Sequence, residues 1–123
     1  MKRLFWLAAV LIVLLMLPHS RQATFDGSRV ANSDRFTMQY RILNGSDSHV
    51  FSLESGDGID VSIVRDSGQV AVLIGEENAD PIYRGIALST SAFQVSVPKS
   101  GSYRVTVIGK KASGSVNFTV KAA

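Results

Sequence analysis

From Phe36 onward apolar and polar residues alternate with a period of two, a pattern that a half-buried strand requires and that a helix cannot bury on one face. Phe36, Met38, Tyr40 and Ile42 alternate with Thr37, Gln39 and Arg41; Phe51 and Leu53 with Ser52 and Glu54; Ile59, Val61 and Ile63 with Asp60 and Ser62. Val70, Val72 and Ile74 follow, then a weaker run from Ile82 to Leu88, then Phe93, Val95 and Val97, then Tyr103, Val105 and Val107, and last Val116, Phe118 and Val120. These eight segments predict an all-β, antiparallel two-sheet β-sandwich of jelly-roll or immunoglobulin-like type, with a small closed barrel as the alternative. Residues with turn chemistry separate them, at Asn44-Gly45, Gly56-Asp57-Gly58, Asp66-Ser67-Gly68, Pro98 to Gly101 and Ser113-Gly114. Three hairpins are therefore expected: Gly58 to Ile74, Phe93 to Ile108, and Tyr103 to Lys121. Lys110 and Lys111, at the turn of the last, read as solubilising guards against edge pairing in preference to a binding patch.

Ahead of the alternating region stands a different kind of sequence. Lys2 and Arg3 precede fourteen consecutive apolar residues, Leu4 to Leu17, and Pro18 ends the run. This is the layout of an export signal. As a helix the run would be only about 21 Å long at about 1.5 Å per residue, short of a hydrocarbon core of about 30 Å, which favours cleavage. No good cleavage site follows, since Arg21 or Pro18 falls where a small residue is wanted, so residues 1–23 are read as a signal peptide or an N-terminal membrane anchor. Residues 24–34, small and polar without a period, read as a tether. The β-sandwich is expected over residues 35–123.

Charge narrows the function classes. The whole chain carries 13 Lys+Arg against 10 Asp+Glu and a pI near 9.5, but all ten acidic residues and only ten of the basic ones lie from Thr24 onward. The exported part is balanced at zero, unlike a nucleic-acid module, whose basic excess sits on its folded domain. There is no cysteine, hence no disulfide or thiolate–metal site. The expected location is secreted or cell-envelope, with membrane contact only through the N-terminal segment if it is retained.

The stretch Phe93 to Gly109, followed by Ala112 to Phe118, resembles the closing strands of secreted bacterial sandwich domains, the pre-peptidase C-terminal and GOLD-like types. Gly101 and Tyr103 match the Gly-x-Tyr turn that leads into the penultimate strand of such domains, and Phe51 to Gly56 with Ile59 to Ile63 resemble their opening strand-turn-strand. An acidic Asp-x-Asp-x-Tyr opening motif and an attached peptidase are lacking, so a role beside a protease in the same chain is not expected. The resemblance implies an exported, non-catalytic adhesive or accessory module.

The residues give little sign of catalysis. His49, beside Ser48 and Asp47, is the one histidine after the export segment, and neighbours on an extended chain point to opposite sides, so the three do not form a triad by proximity. His49 is read as a surface residue at a strand start. Paired carboxylates occur at Glu54, Asp57 and Asp60, and Glu76, Glu77, Asn78 and Asp80 crowd one loop. Calcium, which takes several oxygen ligands from one loop, is the sharper alternative to solvated turns there, and a hydrolase is the least favoured class.

The aromatics Phe36, Tyr40, Phe51, Phe93, Tyr103 and Phe118 share the aliphatic phase and are assigned to the core. Tyr83 is set apart, beside Arg84 and just after the acidic loop; a Tyr-Arg pair suits an interface anchor, against the plainer role of covering the sandwich end. Asn44-Gly45-Ser46 and Asn117-Phe118-Thr119 fit the N-glycosylation pattern, which matters only in a eukaryotic source; otherwise Asn44-Gly45 is a hairpin turn and Asn117 an outward position. The expected function is binding of a protein or cell-surface polymer, through an exposed sheet edge or the Glu76 to Arg84 end, with a calcium- or ligand-stabilised accessory module as the alternative.

Overall fold

The structure, a computed structural model, describes residues 24–123; residues 1–23, read from the sequence as a signal peptide or anchor, lie outside the described residues. Six strands appear: β1 (Phe25–Ala31), β2 (Arg35–Leu53), β3 (Gly58–Glu76), β4 (Tyr83–Gly85), β5 (Ser91–Ser96) and β6 (Gly101–Lys121). Every pairing is antiparallel, in the order β1-β2-β6-β3-β4, with β5 also on β3.

The eight expected segments fall within this set because β2, β3 and β6 each hold two of them. Each long strand changes its buried phase midway. In β2 the buried residues run Phe36, Met38, Tyr40, then Leu43, Phe51, Leu53; in β3, Ile59, Val61, Ile63, then Val70, Val72, Ile74; in β6, Tyr103, Val105, Val107, then Ala112, Val116, Phe118. The breaks are bulges, and they are neighbours. Leu43 faces Ala112, Gly45 faces Gly109, Arg65 faces Gly114 and Gln69 faces Lys110. Together they form one fold line across the sheet, where an extra residue increases bend and twist.

The sheet thus doubles over into a sandwich. One layer holds β1, the start of β2, the end of β6, the start of β3 and β5; the other holds the end of β2, the start of β6, the end of β3 and β4. Phe36 of the first layer lies 5.5 Å, ring to ring, from His49 of the second, and a single apolar cluster fills the space between the layers. Among the described residues no polar or charged residue is fully buried, so burial of apolar side chains, roughly 1.5–3 kcal/mol each, stabilises the fold.

Three corrections follow. None of the three expected hairpins forms: Asp66-Ser67-Gly68 and Lys110 to Gly114 lie within continuous strands, and β5 pairs with β3, not β6. The left-handed residues that suit a hairpin turn suit a bulge equally well: Gly45, Gly68 and Gly114 have φ of 146°, 77° and 143°, and Lys111 joins them at 50°. Asn44-Gly45 is likewise a bend, with Asn44 Oδ1 accepting from the Lys111 amide at 3.2 Å. Lys110 and Lys111 lie on the central strand β6, so they guard no edge. Second, the supposed tether is strand β1, paired along β2 from Phe25 opposite Leu43 to Ala31 opposite Phe36; an edge strand with most side chains in solvent needs backbone pairing more than an apolar period. Third, Ile42, expected inward, is exposed while Leu43 is buried, because the bulge begins there.

Candidate functional site

The free strand edges are the places where such a sheet can take another chain, and the four are unlike one another. β1 carries a register break between Asp26 and Gly27 and the charged Asp26 and Arg29, devices that discourage pairing. The second half of β2 is clasped from the opposite layer: Arg29 Nε donates to Asp47 Oδ2 at 2.7 Å and Nη2 to the Ser48 carbonyl at 3.2 Å. His49 Nε2 donates to the Asn32 carbonyl at 2.7 Å beside it. β4 is only three residues long.

β5 has none of these devices. Its sequence, Ser-Ala-Phe-Gln-Val-Ser, has no charge, glycine or proline, and it pairs with β3 from Ile63↔Ser91 to Gly58↔Ser96 without a register break. Its outer rim is a regular row of backbone donors and acceptors, the arrangement that receives an added strand. Phe93 anchors it by packing at a tilt against Tyr83, ring centroids 4.8 Å apart, and Gln94 Nε2 donates to Asp60 Oδ1 at 2.9 Å.

The two residues set apart in the sequence separate in the structure. Tyr83 is half-buried and packs on the core through Phe93, whereas Arg84 is exposed opposite Leu73. Glu76 and Glu77 point to different cations: Glu76 Oε1 lies 3.4 Å from Lys99 Nζ, and Arg104 Nε donates to Glu77 Oε1 at 2.9 Å. Asn78 and Asp80 are exposed in the same loop, Asn78 in a left-handed conformation at φ 57°. Among the described residues no three His, Cys, Asp or Glu side chains are grouped to hold a metal ion.

Asp47, Ser48 and His49 also turn to separate partners, Arg29, Arg104 and Asn32; Arg104 Nη1 donates to Ser48 Oγ at 2.8 Å. His49 is half-buried, edge-on to Phe51 at 4.9 Å, so it packs between the layers and is not the surface residue expected.

A shallow groove of about 630 Å³ runs along the fold line between Asp26, Gln39, Tyr40, Asp66 and Ser115. Tyr40 is 5% exposed, and its hydroxyl is buried without a hydrogen-bond partner. Burial, with Asp66 nearby, pushes its phenol above the ordinary value. The groove contains no histidine or cysteine and no nucleophile held by a base.

No sequence pattern distinguished β5 from the other strands, because edge position is a property of pairing. Its lack of charge, glycine and proline is shared by Val70 to Ile74 and Val116 to Val120 and does not single it out.

Fold and edges together define an antiparallel β-sandwich module with one unguarded edge. No family model matches the chain, and no curated protein matches it. Among solved structures it is similar to PliG, a periplasmic lysozyme inhibitor of g-type lysozyme from Aeromonas hydrophila, at 15% identity over 79% of this chain and 88% of that one, with a TM-score of 0.49. It is also similar to the pre-peptidase C-terminal domain of a collagenase from Bacillus anthracis, at 18% identity, 80% and 88% coverage and a TM-score of 0.48. A carbohydrate binding module of Cellvibrio mixtus lichenase 5A aligns at 15% identity, 85% and 91% coverage and a TM-score of 0.47. That pre-peptidase C-terminal domain is of the type the sequence was said to resemble.

Proposed function

We propose that this chain is an exported, non-catalytic module that binds another protein by accepting an extended segment of it along β5. The observation that carries this is the contrast among edges: β1 and the second half of β2 are closed by a bulge, charges and the Arg29 clasp, β4 is only three residues, and β5 offers six residues in regular register without a charge. Strand addition draws its affinity from main-chain hydrogen bonds and its selectivity from alternate side chains. On the outer face of β5 those alternate positions are Ala92, Gln94 and Ser96, beside Ser62, Asp60 and Gly58 of β3. This favours small or polar residues in the incoming segment.

The test is a double variant, Ala92→Lys with Ser96→Lys, which puts charge on the edge without touching the core, since both positions are exposed. Partner retention from envelope or culture extract is expected to be lost at unchanged melting temperature. Retention by this variant at wild-type level overturns the proposal.

A further inference from the structure

The sandwich has two unlike ends. At the fold line the chain presents Arg41, Arg65, Lys110 and Lys111 against Asp26 and Asp66. At the opposite end Asp34, Glu54, Asp57, Asp60, Glu76, Glu77 and Asp80 outnumber Arg35, Lys99, Arg104 and Lys121, three of which pair with Glu76, Glu77 and Asp60. A domain whose formal charge sums to zero is therefore polarised along its length, basic at the fold line and acidic at the other end.

Three further observations fall at the basic end. Lys110 and Lys111 are both exposed and enter none of the ion pairs among the described residues. Lys111 holds a left-handed conformation that glycine or asparagine would adopt at less cost. Large apolar side chains stand beside these cations in solvent, with Phe25 38%, Ile42 37% and Ile86 72% exposed.

The chain also enters the fold there. Thr24 is fixed at this end, its carbonyl accepting from the Asn44 amide at 2.8 Å, and the apolar run of the export segment ends at Leu17. The six residues between can span at most about 20 Å. A retained segment in a bilayer would hold the basic end, not the acidic one, against the lipid.

We infer that the fold-line end is the membrane-facing end of the molecule and docks on an anionic lipid surface. Lysine and arginine side chains near such a surface are attracted within a Debye length. Phe25, Ile42 and Ile86 are of the kind that settles at the headgroup boundary. The acidic end is repelled, which sets the orientation. β5 runs between the two ends and its edge stays open, so this inference is independent of what β5 binds.

Because the chain has no cysteine, a single introduced one reports position cleanly. The full chain carrying Ser67→Cys at the fold line, or Ser55→Cys at the acidic end, is labelled with an environment-sensitive fluorophore and reconstituted in two kinds of vesicle. One is phosphatidylcholine alone and the other phosphatidylcholine mixed with phosphatidylglycerol. The Ser67 probe is expected to be several-fold less accessible to acrylamide on the anionic vesicles than on the neutral ones, where the retained segment alone holds the domain near the lipid, and the Ser55 probe to remain accessible on both. Lys110→Glu with Lys111→Glu, or salt at about 1 M where the Debye length is about 3 Å, is expected to restore quenching at Ser67. A melting curve checks the fold of the charge-reversed chain, with Lys110→Gln and Lys111→Gln as a milder second variant. Equal protection of Ser67 on neutral vesicles, protection that survives both charge variants, or protection of Ser55 overturns the inference.

Discussion

Tyr83 of β4 and Phe93 of β5 pack with ring centroids 4.8 Å apart and planes tilted by 32°, joining the edge strands of the two layers where no backbone pairing connects them. Tyr83 therefore closes one flank of the core. Tyr83→Ala is expected to destabilise the domain by roughly 1–3 kcal/mol, for lost aromatic contact and a partly filled cavity, whereas Arg84→Ala is expected to fall within about 0.5 kcal/mol of the parent, as for an exposed site. Urea denaturation of the two single variants checks this. Equal costs would mean that the pair acts as a unit.

Tyr40 and Tyr103 are both buried, yet they differ in one bond. Tyr103 OH donates to the Lys99 carbonyl at 2.7 Å and anchors the Pro98 to Gly101 turn, while the Tyr40 hydroxyl has no partner. Tyr103→Phe is expected to cost about 1 kcal/mol, since it also leaves a carbonyl unpaired. Tyr40→Phe is expected to be neutral or stabilising. Thermal melts of both, at neutral pH, are the measurement.

The raised phenol of Tyr40 has a pH consequence. The folded state binds this proton more tightly than the unfolded state, whose phenol titrates near 10. The contribution is therefore fully present below about pH 10 and is lost as pH rises from there through the folded value. Stability measured across that alkaline range is expected to fall more steeply in the parent than in Tyr40→Phe.

The fold line depends on backbone that only glycine adopts without penalty. Gly68 and Gly114 have positive φ, and a Cβ on either would collide with main chain of the facing strand, at Lys111 and Val64. Gly68→Ala and Gly114→Ala are each expected to cost more than about 1 kcal/mol. Gly45, with φ 146° but open space around it, is expected to cost less. The ranking, read from denaturant midpoints, is the check.

These residues also mark the limit of what was legible in advance. The period of two located nearly every buried position, from Phe36 to Phe118, because burial on one face leaves its trace in each residue. Tyr103 was recognisable as an anchor from its place after Gly101. The breaks at Asp66-Ser67-Gly68 and Lys110 to Gly114 were visible too, but a left-handed glycine reverses a chain or bends it according to what the neighbouring strand does. The phase change from Ile63 to Val70 was the available clue. β1 and the edge status of β5 left no such trace, since both arise from pairing between distant segments.

Glu76 and Glu77 are each engaged by a cation, and drawing both to one ion would break those contacts. Millimolar calcium is accordingly expected to leave the melting temperature unchanged. A site occupied at about 100 times its Kd would add roughly 2.7 kcal/mol, which a melting curve would register.

The proposed role of β5 is tested most directly by photo-crosslinking in the producing cell, with a photoreactive residue placed at Ala92 on β5, Val30 on β1 or Arg84 on β4, all exposed positions. The expected result is a discrete adduct from Ala92 alone, mapping to an extended segment of a second protein and abolished by Ser96→Lys. Adducts from Arg84 or Val30 with none from Ala92 would contradict strand addition at β5.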